Sequence, residues 1–285
     1  MRPSVVIATT RARERRLRAL LDSLAGQDVE VVVEEDVNGR GPAAVRNEGW
    51  RRATSSLVCF LDDDVVVEPG WADAFSAAHR EHPGAVLQGR TEPNPAEAHL
   101  QDAFSRSKSI TACDWNYATC NIAYPRELLE RLGGFDEGYS FAAAEDTDLG
   151  WRARESGAPT EFVDGARAYH AVQRYGVLAL VRRMRIKVDV ARVTKRHPGL
   201  RHHYHRQVFW KRSHERLLLA LAAAILARRT SGASLLLAIP YAALYRSQHG
   251  SWPGTVASLP GHVAVDAAET AAVAAGAARQ RTLII

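Results

Sequence analysis

Leu57-Val58-Cys59-Phe60-Leu61 runs straight into Asp62-Asp63-Asp64. An unbroken apolar run of this length predicts a strand buried on both faces, as in the middle of a parallel sheet. An acidic triplet directly after it is costly unless something offsets the mutual repulsion. Oxygen-rich sites of this kind suit hard cations such as magnesium or manganese, which in turn neutralise a diphosphate. A solvated acidic turn is the plain alternative. It is the weaker reading here, because open α/β sheets bind ligands just beyond the carboxyl ends of their strands.

Upstream, Val5 to Ala8 reads as a first strand. Leu17, Leu20, Leu21 and Leu24 then fall at i, i+3, i+4 and i+7, one apolar face of a helix that Gly26 is placed to end. Val29 to Val33 is a second strand, and Gly41-Pro42 opens a second helix through Ala53, since proline suits the first helical position. Strand, helix, strand, helix, strand is half of a nucleotide-binding α/β unit. Glu34-Glu35-Asp36 after the second strand therefore converges with Asp62-Asp63-Asp64 on one sheet edge.

Downstream, a helix carries Trp71, Phe75 and Ala78, and a short strand covers Ala85 to Leu87. Gly89 to about Ser109, rich in proline and polar residues, reads as a long loop or mobile lid. Tyr117 to Tyr124 is predicted as a strand, Pro125 to Leu132 as a short helix closed by Gly133-Gly134, Asp146 to Ser156 as a helix closed by Gly157, and Ala166 to Tyr169 as a strand.

Five segments carry a more specific likeness: Val5-Val6-Ile7-Ala8-Thr9-Thr10, Val45-Arg46-Asn47-Glu48-Gly49, Phe60-Leu61-Asp62-Asp63-Asp64, Gly133-Gly134-Phe135-Asp136-Glu137 and Glu145-Asp146-Thr147-Asp148-Leu149. In that order they resemble family 2 glycosyltransferases of bacterial type, over about residues 3 to 175. The resemblance implies the GT-A fold, a Rossmann-like, mostly parallel sheet flanked by helices. It also implies an inverting, metal-dependent transfer from a nucleotide-sugar, UDP-linked by preference, to a hydroxyl acceptor. By the same resemblance Thr9, Thr10, Arg11 and Asp36 hold the nucleotide, and Arg46 and Asn47 approach the donor. Asp62 and Asp63 contact the donor, and Asp62, Asp64 and His170 hold Mn2+ or Mg2+. Asp146, with Glu145 beside it, matches the catalytic base, while Trp115, Tyr117, Asn121 and Glu145 lie where the family lines its acceptor and donor pocket. The turn Glu35-Asp36-Val37-Asn38 departs from the family's usual aspartates followed by glycine and serine. Plain structural roles compete for several of these: Asp146 as a helix cap, His170 as an ordinary exposed or structural histidine, and the aromatics as core.

Composition bounds the rest. At 285 residues, 46% hydrophobic and 24% charged, the chain buries a sizeable core and is not disordered. A net charge of +5 favours anionic partners. Cys59, Cys113 and Cys120 are too few and too far apart for a disulfide framework or zinc site, and the opening residues lack a signal peptide's long apolar stretch, so a cytoplasmic location is expected. We divide the chain into a catalytic domain, 1–176, and a helical, basic and apolar C-terminal extension, 177–285. Within that extension Arg182 to Arg216 is densely basic, Asp189 and Glu215 being its only acids. Leu217 to Ala227 and Leu235 to Tyr245 are apolar runs about half the roughly 20 residues a membrane-spanning helix needs. A peripheral contact with anionic membrane and a buried helical hairpin both fit this pattern. Ala264 to Ala278 reads as a helix or a frayed tail. No nucleic-acid signature accompanies the charge, and the acceptor class is a saccharide, polysaccharide or lipid-linked sugar. Two rival readings are a sugar nucleotidyltransferase, disfavoured because Thr9 to Arg16 has no glycine, and a non-catalytic membrane-associated scaffold, disfavoured because all the acids are present.

Overall fold

The computed structural model describes residues 2–139, 141, 143–249 and 251–285. They form two compact units, one of Met1–Leu100 with Arg106–Gln173 and one of Gln101–Ser105 with Arg174–Ile285.

The first unit alternates β1 (Ser4–Thr9), α1 (Glu14–Leu24), β2 (Glu30–Glu35), α2 (Pro42–Arg52) and β3 (Leu57–Asp62). Pro42 opens α2 where a backbone N–H would have no helical partner. Next come β4 (Val65–Val67), α3 (Trp71–Glu81), β5 (Val86–Pro93), β6 (Asn121–Pro125), α4 (Arg126–Leu132), α5 (Glu145–Glu155) and β7 (Thr160–His170). The seven strands form one sheet in the order β2-β1-β3-β6-β5-β7-β4. Most point the same way, β6 and β4 alone running against them.

Both faces of the sheet are covered, which is why β1 and β3 are apolar at successive positions. One face packs Val5, Ile7, Leu57, Cys59 and Leu61 against Leu20 and Leu24 of α1 and Trp71 and Phe75 of α3. Each such large side chain contributes roughly 1.5–3 kcal/mol on burial. On the other face Phe60 meets Tyr124 and Phe135 edge-on, with ring centroids 6.1 and 5.1 Å apart. Gly49 lets α2 lie directly on Val6, since any Cβ there would overlap that side chain.

Several expectations need correction. Gly89 to Pro93 is not loop but the continuation of β5, and Pro95–Leu100 is a 3-10 helix. Thr91 lies inside, and a register shift between Gly89 and Thr91 admits the Asn121 side chain. The sixth strand begins at Asn121 rather than Tyr117, because Tyr117 adopts a left-handed backbone (φ 51°) and slides its ring beneath Gly150 of α5. β4 was not anticipated, and β7 is far longer than Ala166 to Tyr169. Both depend on pairing with distant strands, which no local pattern encodes.

The second unit is helical: α6 (Val177–Arg183), α7 (Val190–Arg196), α8 (Arg212–Leu226), α9 (Ile239–His249) and α10 (Trp252–Gln280), with 3-10 segments at Met184–Asp189, Pro198–His203 and Ala233–Ala238. The alanine-rich end is the C-terminal half of α10, not a tail. α10 continues through Pro260, and its buried side holds polar partners as well as apolar ones: Tyr241 donates to Asp266 at 3.0 Å and Lys211 to Glu269 at 2.7 Å. No described helix is long and apolar enough to cross a membrane.

Gly150→Ala tests the packing of α5 on Tyr117. Alanine gains about 1 kcal/mol of helix propensity, but overpacking against a ring carbon that cannot swing away costs about 1–3 kcal/mol. A net loss of about 1 kcal/mol is expected in urea unfolding, whereas a stabilised variant would refute the contact.

Candidate active site

The sheet register gathers the site. Ala8 pairs with Asp62 and Thr9 with Glu35, so the ends of β1, β2 and β3 share one edge. β7 adds the next piece: His170 pairs with Val65, and the N–H of Ala171 donates to the Asp64 carbonyl at 2.8 Å. Asp62, Asp64 and His170 consequently present one ligand atom each within 4.8 Å of one another. His170 Nδ1 lies 2.9 Å from the Ala171 carbonyl, which only accepts, so Nδ1 carries the proton. The lone pair of Nε2 is then free, 3.5 Å from Asp64 Oδ1. Two carboxylates and an imidazole held in the metal-binding tautomer fit Mn2+ or Mg2+.

Arginines offset the crowded carboxylates. The Arg13 guanidinium donates through Nη1 to Asp63 Oδ1 at 2.7 Å and to Asp64 Oδ2 at 3.1 Å, and Gln173 also donates to Asp64. Thr9 donates to the buried Asp63 at 2.7 Å. Arg46, buried on α2, reaches Glu145 Oε1 at 2.8 Å and Asp62 Oδ1 at 3.0 Å, linking β3 to the start of α5. Burial alone would raise the Asp62 carboxyl, yet the charges of Arg46 and Lys108 and the hydrogen bond from Arg46 outweigh it and hold Asp62 below its ordinary value. Asp63 goes the other way, pushed up by burial despite Thr9 and Arg13.

Glu145 and Asp146 open α5, after Ala144 in a left-handed turn (φ 79°). Asp146 is thus inside the first turn and does not cap the helix. Its Oδ1 accepts from the Thr147 N–H at 2.8 Å. Burial raises its pKa, while the charges of Lys108 and Arg46 pull downward and that of Asp62 adds to the rise. Glu145 is more deeply buried, and its Oε2 is left without a hydrogen-bond partner. Burial first, then the neighbouring Asp146, lifts its carboxyl to about 7 against the pull of Arg46.

The remaining expected site residues divide. Thr9, Thr10 and Arg11 line a cavity of about 250 Å³ together with Glu14, Leu17 and Glu35. Asp36 does not line it; its carboxylate accepts the N–H groups of Arg40 and Gly41 at 2.8 and 2.9 Å and clasps the loop before α2. Asn47 is wholly occupied with Phe135, Glu137 and Trp50, tying α2 to the Gly133-Gly134 turn. Buried Asn121 accepts from Trp71 at 2.9 Å and donates to the carbonyls of Arg90 and Ala166 at 2.8 Å each, holding the β5 irregularity. Half-buried Trp115 accepts at its carbonyl from Trp151 at 3.0 Å. Sequence reasoning missed Arg13 and Gln173, and it placed Glu35 in the acidic cluster at the sheet edge without singling it out over Asp36. A run of arginines flags the first only loosely, and nothing in the sequence flags Gln173.

A model of the glycosyl transferase family 2 matches residues 5–133. The family segment carries the edge of β1, β2 and β3 described above. Chondroitin synthase of Pasteurella multocida is 26% identical over 205 residues, covering 58% of this chain and 21% of that protein. Validoxylamine A glucosyltransferase of Streptomyces hygroscopicus is 27% identical over 165 residues, 46% of this chain and 39% of that one. The chain therefore spans well under half the length of these relatives. A solved mannosyltransferase from Pyrobaculum calidifontis, in complex with GDP-Man and Mn2+, superposes with a TM-score of 0.55 at 21% identity, covering 98% of this chain and 87% of that one. The fold is the α/β GT-A fold with a C-terminal helical region.

Glu145 gives a pH signature. Folding lifts its carboxyl from 4.5 to about 7, so between those values the folded chain keeps a proton that the unfolded chain has released. Its contribution to stability falls as pH rises through that window and is constant above it. Urea midpoints at intervals across the window should show Glu145→Gln gaining stability relative to the parent as pH rises; parallel profiles would refute the perturbed carboxyl.

Proposed function

We propose that this protein transfers a sugar, with inversion, from a nucleotide-diphosphate sugar to a hydroxyl of a saccharide, polysaccharide or lipid-linked acceptor. UDP-sugar is the proposed donor. The observation that carries the reading is the convergence of Asp62, Asp64 and His170 within 4.8 Å at the sheet edge, with Glu145 and Asp146 tied to that edge through Arg46.

Asp62, Asp64 and His170 would hold the divalent cation. When bound, Mn2+ or Mg2+ stabilises the negative charge that builds on the departing diphosphate. The cavity beside Thr9, Thr10, Arg11 and Glu35 suits the nucleotide base and ribose. Asp146 takes the acceptor's hydroxyl proton as that oxygen bonds to the anomeric carbon and the bond to the diphosphate breaks. Attack opposite the leaving group inverts the centre. Burial, which raises the Asp146 carboxyl, makes it a stronger proton acceptor than an exposed carboxylate. Arg46 steadies the turn from Glu145 to Asp146 and keeps charge balanced there. The proposal includes a cytoplasmic location, peripheral at the inner face of the cell membrane, and no nucleic-acid partner.

Binding and hydrolysis of UDP-, GDP- and dTDP-sugars with manganese, magnesium or EDTA test this reading. One donor should bind only with the cation; Asp64→Ala and His170→Ala should lose that binding, and Asp146→Asn should keep it while turnover falls by about 100-fold or more. Failure of every nucleotide-sugar to bind under any cation condition would overturn the proposal.

A further inference from the structure

α8 and the Ala233–Ala238 segment bury little of their apolar surface. Leu218, Leu221 and Ile225, three and four residues apart on α8, are exposed, Ile225 at 79%, and so are Leu235, Leu236 and Leu237, Leu236 at 67%. Ser234 fastens the two segments together by donating to the Ala223 carbonyl at 2.7 Å. The turn between them carries Arg228 and Arg229, both exposed. An apolar surface this concentrated is a contact surface, not scattered leucines.

Charge selects the occupant. The second unit holds eighteen Lys and Arg residues against five Asp and Glu, while the chain as a whole is only +5. A surface of exposed leucines and an isoleucine around two arginines, on a unit this basic, complements anionic lipid headgroups over a shallow apolar layer. Length excludes a span: the 15 residues of α8 extend about 22 Å, short of the roughly 30 Å hydrocarbon core.

We infer that α8 and the Ala233–Ala238 segment form a wedge that enters one leaflet of an anionic membrane, Ile225 and Leu236 dipping below headgroups that Arg228 and Arg229 engage. The inference rests on the proposed peripheral location and extends it to a named surface and lipid class.

Co-sedimentation of the full chain with phosphatidylcholine vesicles, with or without phosphatidylglycerol, tests it. Phosphatidylglycerol should strengthen binding by about tenfold or more, and high salt should weaken it. Ile225→Glu combined with Leu236→Glu should abolish vesicle binding, with circular dichroism and nucleotide-sugar binding unchanged; Arg228→Ala with Arg229→Ala should remove the lipid preference. Unchanged vesicle binding by the glutamate pair overturns the inference, as does no vesicle binding by the parent. Sedimentation velocity adds a third arm: a parent dimer that the glutamate pair dissociates, without lipid binding, assigns the surface to a second copy. Vesicle binding can fail while donor turnover persists, which sinks the wedge alone, and the reverse result sinks the transferase reading alone.

Discussion

Repulsion among carboxylates is the constraint around which the first unit is arranged. Two like charges about 4 Å apart near a protein surface repel by about 4 kcal/mol, and whole domains are stable by only about 5–15 kcal/mol. Asp62, Asp63 and Asp64 at the end of β3, with Glu145 and Asp146 close by, would exceed that margin without partners. Arg13 and Arg46 supply them, one spanning Asp63 and Asp64, the other spanning Asp62 and Glu145. Burial, and then the neighbouring Asp146, keep the carboxyl of Glu145 near 7 against the pull of Arg46. Negative charge left over at a sheet edge, beside an imidazole with a free lone pair, is the feature on which the proposed cation and diphosphate site rests.

Much of the surrounding polar chemistry serves position. Asn47, Asn121 and Asp36 each use their side chains to hold backbone, at the Phe135 turn, the β5 irregularity and the loop before α2 respectively. Asn47 and Asn121 do so from buried positions, where a hydrogen bond left unmade costs more than the same bond at the surface. The effect is to fix α2 and therefore Arg46, whose two ion pairs need both β3 and α5 in register. The long β7 does the same for His170.

The chain also separates charge by unit. The first unit carries more acid than base and the second the reverse, so the modest overall charge conceals two opposite fields. An acidic site needs a cation to accept a diphosphate, and a basic helical unit with uncovered leucines fits a lipid surface. These are separate properties of separate units.

The sequence by itself determined the β1–β3 core, because apolar runs ending in acids and helices of clear 3.6-residue period are local patterns that tolerate one reading. It also brought out the acids and the histidine of the candidate site through motif order. Only the tertiary structure decided how they meet: β4 and the length of β7 exist through pairing across the sheet, and the bridge from Arg13 and the contact from Gln173 join residues far apart in the chain. It likewise decided that Glu35, not Asp36, lines the cavity, and that Asn47 and Asn121 act as clasps. Direction of a side chain depends on what packs around it, and that neighbourhood is written in no single stretch of sequence. The leucines of α8 obey the same limit, since their periodicity suits a buried hairpin as well as an exposed wedge, and only the packing left them uncovered.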